Sequence, residues 1–250
     1  MENWIRQICE PRQLYLAWQA PDHMGDRFRW AVAVIRPKGD TYTLRYLAPG
    51  REFEALNQGR SFNRVVALGY HGYPAFGLRR SENSVGVLEA LMRRLPPRSR
   101  PDYKDYQRQF RIAPEAAPSD FALIGATEAK LPSDGFSVVD PLDGEARNCD
   151  LMLEIAGFRY YLAGLAFPLE VGQAVEILPE PQNKFDPGAV QVRVRSEKIG
   201  NINRLQAPTF LKWLAERRVS GVLERLNGSP DRPRAFIFVR VCAAESKKVA

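Results

Sequence analysis

The segment Gly157–Gly164, GFRYYLAG, places one cation beside two aromatic rings. The guanidinium of Arg159 could bind a phosphate through two parallel hydrogen bonds. The rings of Tyr160 and Tyr161 offer flat faces on which nucleic-acid bases could stack, whatever the base sequence. These residue types predict contact with a single-stranded nucleic acid.

A second segment, Glu180–Pro187 or EPQNKFDP, sets a ring next to a carboxylate. Phe185 could stack on a base, whereas Asp186 would repel a phosphate but could accept a hydrogen bond from a hydroxyl. Such a pair would favour the hydroxyl end of a strand over its interior. Asn183 could contact a nucleotide or hold the turn through its own side chain.

The elements that must position these residues are short strands. The alternation of apolar residues predicts strands over Leu151–Leu162, Ala174–Leu178, Ala189–Val194, Lys198–Ile202, Val219–Leu226 and Arg234–Val241. One helix fits Ala207–Arg217, with Phe210, Leu211 and Leu214 on its apolar stripe and Trp213 beside it. This content predicts a small, partly closed, OB-like β-barrel.

Alternative structural roles remain for the same residues. Strict alternation along a strand puts Arg159 and Tyr160 on opposite faces, so Tyr160 could belong to the core. Both would contact one ligand only if the chain bulged or left the strand there. Phe185 could equally plug the end of the barrel, and Asn183 and Asp186 could serve only as turn caps.

Three motifs in order, GFRYYLAG, EPQNKFDPGAVQV and KIGNINRL, resemble the HIRAN domain over residues 151–241. The resemblance implies a modified barrel that binds single-stranded DNA and captures a free 3′ end. It implies phosphate contacts for Arg159 and Arg204, and base stacking for Tyr160 and Phe185. It further implies a hydrogen bond from the 3′-hydroxyl to Asp186, an apolar contact from Phe236, and an Asn183 that holds the turn or the nucleotide. We also count Tyr161 and Asn201 among the predicted site residues.

The chain departs from the HIRAN pattern at three positions. Phe185 stands where a tyrosine is usual, which keeps the stacking face and loses a hydroxyl. Lys184 replaces a common proline, and Asn201 occupies a position where histidine or an aromatic residue is frequent.

The first half of the chain has a different pattern. Runs of β-branched and aromatic residues at Leu14–Trp18, Phe28–Ile35 and Tyr42–Leu47 predict a three-stranded antiparallel meander, with a hairpin turn at Lys38–Asp40. Helices should follow within 84–95, 102–110 and 119–124. The predicted fold class is therefore α+β: an N-terminal antiparallel β-meander with helices, then the OB-like barrel with one helix.

The motifs LYLAWQ, FRWAVAVIR and TYTLRYLAPG resemble the small N-terminal subdomain of HipA-type serine kinases, although no kinase core follows. The resemblance implies that residues 13–140 dock a protein partner, such as a separate kinase or an antitoxin. We predict two domains, 1–145 for this docking module and 150–243 for the DNA-binding barrel. Their combination would suit DNA repair, genome defence or a toxin–antitoxin system.

Composition limits the other classes. The net charge is +7, and residues 151–250 carry 15 Lys and Arg against 10 Asp and Glu, which suits phosphate binding. Three scattered cysteines and two histidines do not form a zinc pattern, so no metal or other cofactor is expected. No apolar run is long enough to span a membrane, and we expect a cytoplasmic protein that contacts no membrane.

We predict a non-catalytic DNA-binding protein, and two other functions stay open. The chain could be a protein-interaction module with no role in nucleic-acid binding. It could also be a nuclease, because Asp102 or Asp120 with Glu128 and Lys130 mimics a set of residues that holds Mg²⁺.

Overall fold

The computed structural model describes residues 2–131 and 133–244 and confirms the α+β class. Its helices are short and its two sheets are antiparallel throughout. The chain divides into two compact units. We call residues 10–106 and 118–141 the N-terminal unit, and residues 2–9, 107–117 and 142–244 the C-terminal unit. No helix in these described ranges has the length and apolar character needed to cross a membrane.

The N-terminal unit is built on a five-stranded sheet in the order β4-β3-β2-β1-β5. Its strands are β1 (Leu14–Gln19), β2 (Arg29–Lys38), β3 (Thr41–Tyr46), β4 (Glu82–Asn83) and β5 (Phe136–Val139). The predicted meander is confirmed, since β1 pairs with β2 and β2 with β3. The predicted hairpin turn is also confirmed, because Lys38 pairs with Thr41 across Gly39 and Asp40.

Five short helices accompany this sheet: α1 (Arg51–Leu56), α2 (Phe62–Ala67), α3 (Val87–Met92), α4 (Tyr103–Gln109) and α5 (Asp120–Thr127). The last three lie where the sequence predicts helices. Ser119 caps α5, because its Oγ accepts the amide of Ala122 at 3.0 Å.

The C-terminal unit contains a six-stranded sheet in the order β6-β11-β10-β7-β8-β9. Its strands are β6 (Cys149–Glu154), β7 (Ala174–Pro179), β8 (Val190–Val194), β9 (Glu197–Asn201), β10 (Arg217–Ser229) and β11 (Arg232–Ala243). A bridge of two backbone hydrogen bonds, 2.8 and 2.9 Å, joins Ala156 to Asn201. The segment that follows β6 therefore meets β9, and the two ends of the sheet come together.

A glycine makes this meeting possible. Gly200 has φ of 148°, and a Cβ there would lie 2.4 Å from Cγ2 of Ile155 and 2.6 Å from the carbonyl oxygen of Ala156. Any side chain would push β9 away from the chain leaving β6.

The sheet of the C-terminal unit wraps around an apolar core that α7 (Ala207–Glu216) closes. Phe210 and Trp213 of this helix are both fully buried, and their rings meet edge to face at 5.3 Å. Trp213 is thus a central core residue, whereas the sequence placed it beside the apolar stripe.

Two segments from the first half of the chain belong to the C-terminal unit. Ile5 forms a parallel bridge with Ile112, and the amide of Asp150 on β6 donates to the carbonyl of Gln7 at 3.0 Å. Glu224 on β10 is buried and accepts hydrogen bonds from Arg111 and Asn3 at 2.6 and 2.8 Å.

The structure therefore differs from the predicted division at 145–150, which assigned both segments to the first domain. Sequence order alone hides this exchange, because the attachment depends on contacts between residues that are far apart in the chain. The docking role proposed for residues 13–140 stays a prediction.

One predicted strand is wrong in its second half. Leu151–Leu162 was expected to be a single strand, but β6 ends at Glu154 and a helical turn, α6 (Phe158–Leu162), follows. Gly157 has the left-handed φ of 76°, which turns the chain out of the sheet before α6 begins.

Candidate nucleic-acid interface

Helix α6 presents the Arg-Tyr-Tyr segment outward. Phe158 is buried and anchors the turn, which leaves Tyr160 on the surface with 66% of its area exposed. The chain has left the strand before Arg159, so the two neighbouring side chains are free of strand alternation. The core role considered for Tyr160 is thereby excluded.

The guanidinium of Arg159 lies over the ring of Tyr160. Its Cζ is 4.5 Å from the ring centroid, and its Nη2 donates to the tyrosine hydroxyl at 2.5 Å. Within the described residues, no carboxylate pairs with this guanidinium. A cation without an acidic partner beside an exposed ring is suited to a phosphate and its neighbouring base.

The turn after β7 is held by Asn183. Its Oδ1 accepts the amides of Phe185 and Asp186 at 2.9 and 3.1 Å, which is an Asx turn. Its Nδ2 donates to Oε2 of Glu180 at 2.7 Å. Of the two roles open to Asn183, the geometry shows the one that holds the turn.

Phe185 stands at the tip of this turn with 91% of its area exposed. It does not plug the barrel, because the Asx turn directs it away from the core. The next residue, Asp186, is half-buried, and its Oδ1 accepts the amide of Gly188 at 2.9 Å. An exposed ring thus precedes a carboxylate whose backbone and side chain are both fixed.

Glu180 joins the turn to β9. Besides Asn183, its carboxylate accepts Nζ of Lys198 at 2.7 Å and Nδ2 of Asn201 at 3.1 Å. Burial alone would raise the pKa of this carboxyl, but the hydrogen bonds from Lys198, Asn183 and Asn201 outweigh burial and lower the pKa. Glu180 therefore stays ionised and holds three donors in place.

Lys198 extends this network to α6. Its ammonium lies 5.0 Å from the centroid of the Tyr161 ring while it contacts Glu180. The helical turn, the Asx turn and β9 are therefore connected through side chains, although they are far apart in sequence. Seven of the predicted site residues lie in or on this connected surface: Arg159, Tyr160, Tyr161, Asn183, Phe185, Asp186 and Asn201.

Two predicted site residues, Arg204 and Phe236, are not among these seven. Arg204, on the connection between β9 and α7, is half-buried. Phe236 is buried, with 8% of its area exposed, because the guanidinium groups of Arg225 and Arg234 lie over its ring at 4.4 and 5.0 Å. The expected apolar contact of Phe236 with a strand is therefore corrected: its ring is covered by two cations.

Sequence reasoning missed Glu180 and Lys198 as members of the site. A charged residue at the end of a strand is usually a solvated side chain, so neither carried a signal of its own. One signal was present: Glu180 opens the same EPQNKFDP segment that supplies Phe185 and Asp186.

The carboxylates of the nuclease alternative are each paired with a cation. Asp102 contacts Arg100 at 2.6 Å, Asp120 contacts Arg98 at 2.5 Å, and Glu128 contacts Arg29 at 3.1 Å. In the part of the chain that the structure describes, no three His, Cys, Asp or Glu side chains gather into a group that could hold a metal ion.

The comparisons with known proteins concern the C-terminal part of the chain. The model of the HIRAN domain family matches residues 150–241. Among solved structures, the HIRAN domain of human HLTF matches at 17% identity, covering 38% of this chain and 77% of that chain, with a TM-score of 0.31. A structural-genomics protein from Lactobacillus plantarum matches at 23% identity, covering 38% of this chain and 97% of that chain, with a TM-score of 0.28.

A comparison with curated proteins gives no match. The resemblance of the first half to HipA-type kinases is not addressed by these matches and stays a prediction. The matched range contains α6, the Asx turn and β9. The C-terminal part of the chain, residues 150–241, is a HIRAN domain.

Proposed function

We propose that this HIRAN domain binds single-stranded DNA and captures 3′-hydroxyl ends without catalysing a reaction. HIRAN is a DNA-binding domain family, which supports a nucleic-acid partner. The observation that carries the proposal is the exposure of Tyr160 and Phe185, 66% and 91%, on a surface shared with Arg159, whose guanidinium pairs with no carboxylate among the described residues. An aromatic ring exposed to water carries an unfavourable hydration free energy, and stacking on a base removes part of that ring surface from water.

The strength of such binding comes from stacking and from phosphate contact. Each stacked base contributes about 1–3 kcal/mol, so two rings would supply a large part of the free energy of binding a short strand. Arg159 adds a phosphate contact that weakens as salt rises. Neither contribution distinguishes one base sequence from another, so the domain should bind many sequences.

Selection of the 3′ end is assigned to Asp186. Its carboxylate follows Phe185 directly and is fixed by the turn, so a terminal nucleotide stacked on Phe185 would place its sugar near this group. A 3′-hydroxyl can donate a hydrogen bond to a carboxylate, whereas a 3′-phosphate is negatively charged and would be repelled by the carboxylate.

The test compares oligonucleotides that differ only at the terminus. Fluorescence anisotropy on the full chain should show tighter binding to a 3′-hydroxyl strand than to the same strand with a 3′-phosphate. The matched variant Asp186→Asn removes the charge and should reduce this preference by about tenfold, since one charge-assisted hydrogen bond is involved. Equal affinity of the native chain for both termini would exclude end capture by Asp186.

A further inference from the structure

The face of the β10–β11 hairpin that points away from the core carries a cluster of arginines. Along β11, Ala235 and Ile237 are fully buried and belong to the core of the C-terminal unit. Arg234 and Phe236 alternate with them and so lie on the opposite face. Across the hairpin, Arg225 pairs with Phe236, and its guanidinium lies 4.4 Å from the centre of that ring.

The arginines around this ring differ in their acidic partners. Arg234 forms two hydrogen bonds with Glu154, at 2.9 and 2.7 Å, and Arg111 contacts Glu224 at 2.6 Å. Arg225 instead donates from Nη1 to the carbonyl of Gln109 at 2.7 Å. Its Nε is buried without a hydrogen-bond partner, and among the described residues no carboxylate pairs with its guanidinium.

The electrostatic environment of Arg225 is unfavourable for a cation. Burial lowers the pKa of its guanidinium, and the neighbouring charges of Arg111 and Arg234 lower it further. Glu224 and Glu154 offset this only in part, because each is already bonded to another arginine. An anion placed against Arg225 and Arg234 would relieve the repulsion between them.

This cluster is linked to the proposed DNA site through the chain that leaves β6. Glu154 pairs with Phe236, and the amide of the next residue, Ile155, donates to the carbonyl of Ala235 at 2.9 Å. The chain then enters Gly157 and α6, which presents Arg159 and Tyr160. Only Ile155, Ala156 and Gly157 separate the end of β6 from α6, so a short piece of chain connects the arginine cluster to the proposed site.

We propose that Arg225 and Arg234, supported by the ring of Phe236, form a second phosphate-binding surface for the backbone of the bound DNA strand. The proposal rests on the proposed function, since it takes the strand held at its 3′ end as the ligand. A strand whose 3′ terminus occupies the site at Phe185 can extend only in the 5′ direction. The second surface would therefore contact an internal phosphate upstream of the terminus.

The test uses two 3′-hydroxyl oligonucleotides, a trinucleotide that fills only the end site and a strand of about twelve nucleotides. Arg225→Gln in the full chain should weaken binding of the longer strand about tenfold, as expected for one charge-assisted contact. The slope of log affinity against log salt should become shallower by about 0.7 for that strand. Binding of the trinucleotide should not change.

The matched control is Arg218→Gln, which removes the same charge from the exposed far end of β10, where Arg218 pairs with Cys242. It should leave both strands and both salt slopes unchanged. Equal weakening of the short and long strands by Arg225→Gln, or an equal loss from Arg218→Gln, would overturn the proposal. If the native chain bound the trinucleotide equally well with a 3′-hydroxyl and with a 3′-phosphate, that result would instead contradict the proposed function. The two failures can therefore be told apart.

Arg225 also holds the carbonyl of Gln109, so Arg225→Gln could unfold the C-terminal unit. A second experiment therefore leaves the protein unchanged. In the longer strand, one phosphate at a time is replaced by an uncharged methylphosphonate, and affinity is measured for the native chain. An upstream position whose neutralisation weakens binding and reduces the salt slope supports the second surface. A uniform response at every upstream position would overturn it.

Discussion

Two sets of aromatic side chains in the C-terminal unit have opposite environments. Tyr160 and Phe185 lie on the surface, on a helical turn and at the tip of an Asx turn. Phe236 and Trp213 are buried, one beneath two arginines and the other in the core. The difference shows that residue type does not decide the role of an aromatic ring here, because the backbone element that carries it does.

The backbone explains each outcome. Gly157 and Asn183 turn the chain out of the sheet just before the two exposed rings, so neither ring faces a neighbouring strand. Phe236 and Trp213 instead belong to long regular elements, β11 and α7, and both lie at buried positions of those elements. Exposed rings can meet a ligand, whereas covered rings stabilise the fold.

Matched truncations on the two sides of this comparison should lower stability by very different amounts, and this is the largest expected effect. Phe236→Ala removes a buried ring and should lower the free energy of unfolding by about 3–5 kcal/mol. Phe185→Ala makes the same change at an exposed site and should lower it by less than about 0.5 kcal/mol. Urea unfolding of both variants checks this, and similar losses would break the comparison.

The exposed pair should dominate DNA affinity. Tyr160→Ala and Phe185→Ala should each weaken binding of a 3′-hydroxyl strand by about 1–3 kcal/mol, because each removes one stacking face. Val171→Ala, at an apolar residue that is 60% exposed in the same unit, provides the control and should leave affinity unchanged. Anisotropy titrations measure the three variants, and undiminished affinity in the double variant would remove stacking from the proposed function.

The smallest effect concerns Glu180, which holds the exposed surface together. Its pKa is lowered in the folded state from the ordinary value of 4.5. Its ionised form therefore contributes stability above that pH, and the contribution is lost as pH falls through the lower folded pKa. Glu180→Gln should cost about 1 kcal/mol at neutral pH and remove this part of the acid dependence.

Thermal unfolding between neutral pH and about pH 3 follows that dependence. Glu176→Gln, at an exposed glutamate on β7, the strand that ends just before Glu180, serves as the control. If Glu180→Gln and the native chain lost stability in parallel as pH falls, the carboxylate would not be the group that ties the turn to β9.

Local patterns predicted most elements of the C-terminal unit. The strands that became β7 to β11 and helix α7 all appear within a few residues of their predicted positions, because apolar alternation and helical periodicity reflect burial directly. The prediction of a strand through Arg159 and Tyr160 was wrong, because Gly157 in the left-handed conformation turns the chain out of the sheet despite the strand propensity of the residues that follow it. Among the site residues, Tyr160 and Phe185 could be selected by type, but Glu180 and Lys198 could not.

The sequence by itself determined the α+β class, the order of the strands along the chain and the two segments that carry rings, a cation and an acid. Tertiary structure alone decided which rings face water, that Arg159 and Arg225 have no carboxylate partner among the described residues, and that residues 2–9 and 107–117 complete the C-terminal unit. The physical reason is the distance along the sequence over which each effect acts. Propensity and periodicity act over a few residues, whereas burial and charge pairing depend on which distant segments the folded chain brings into contact.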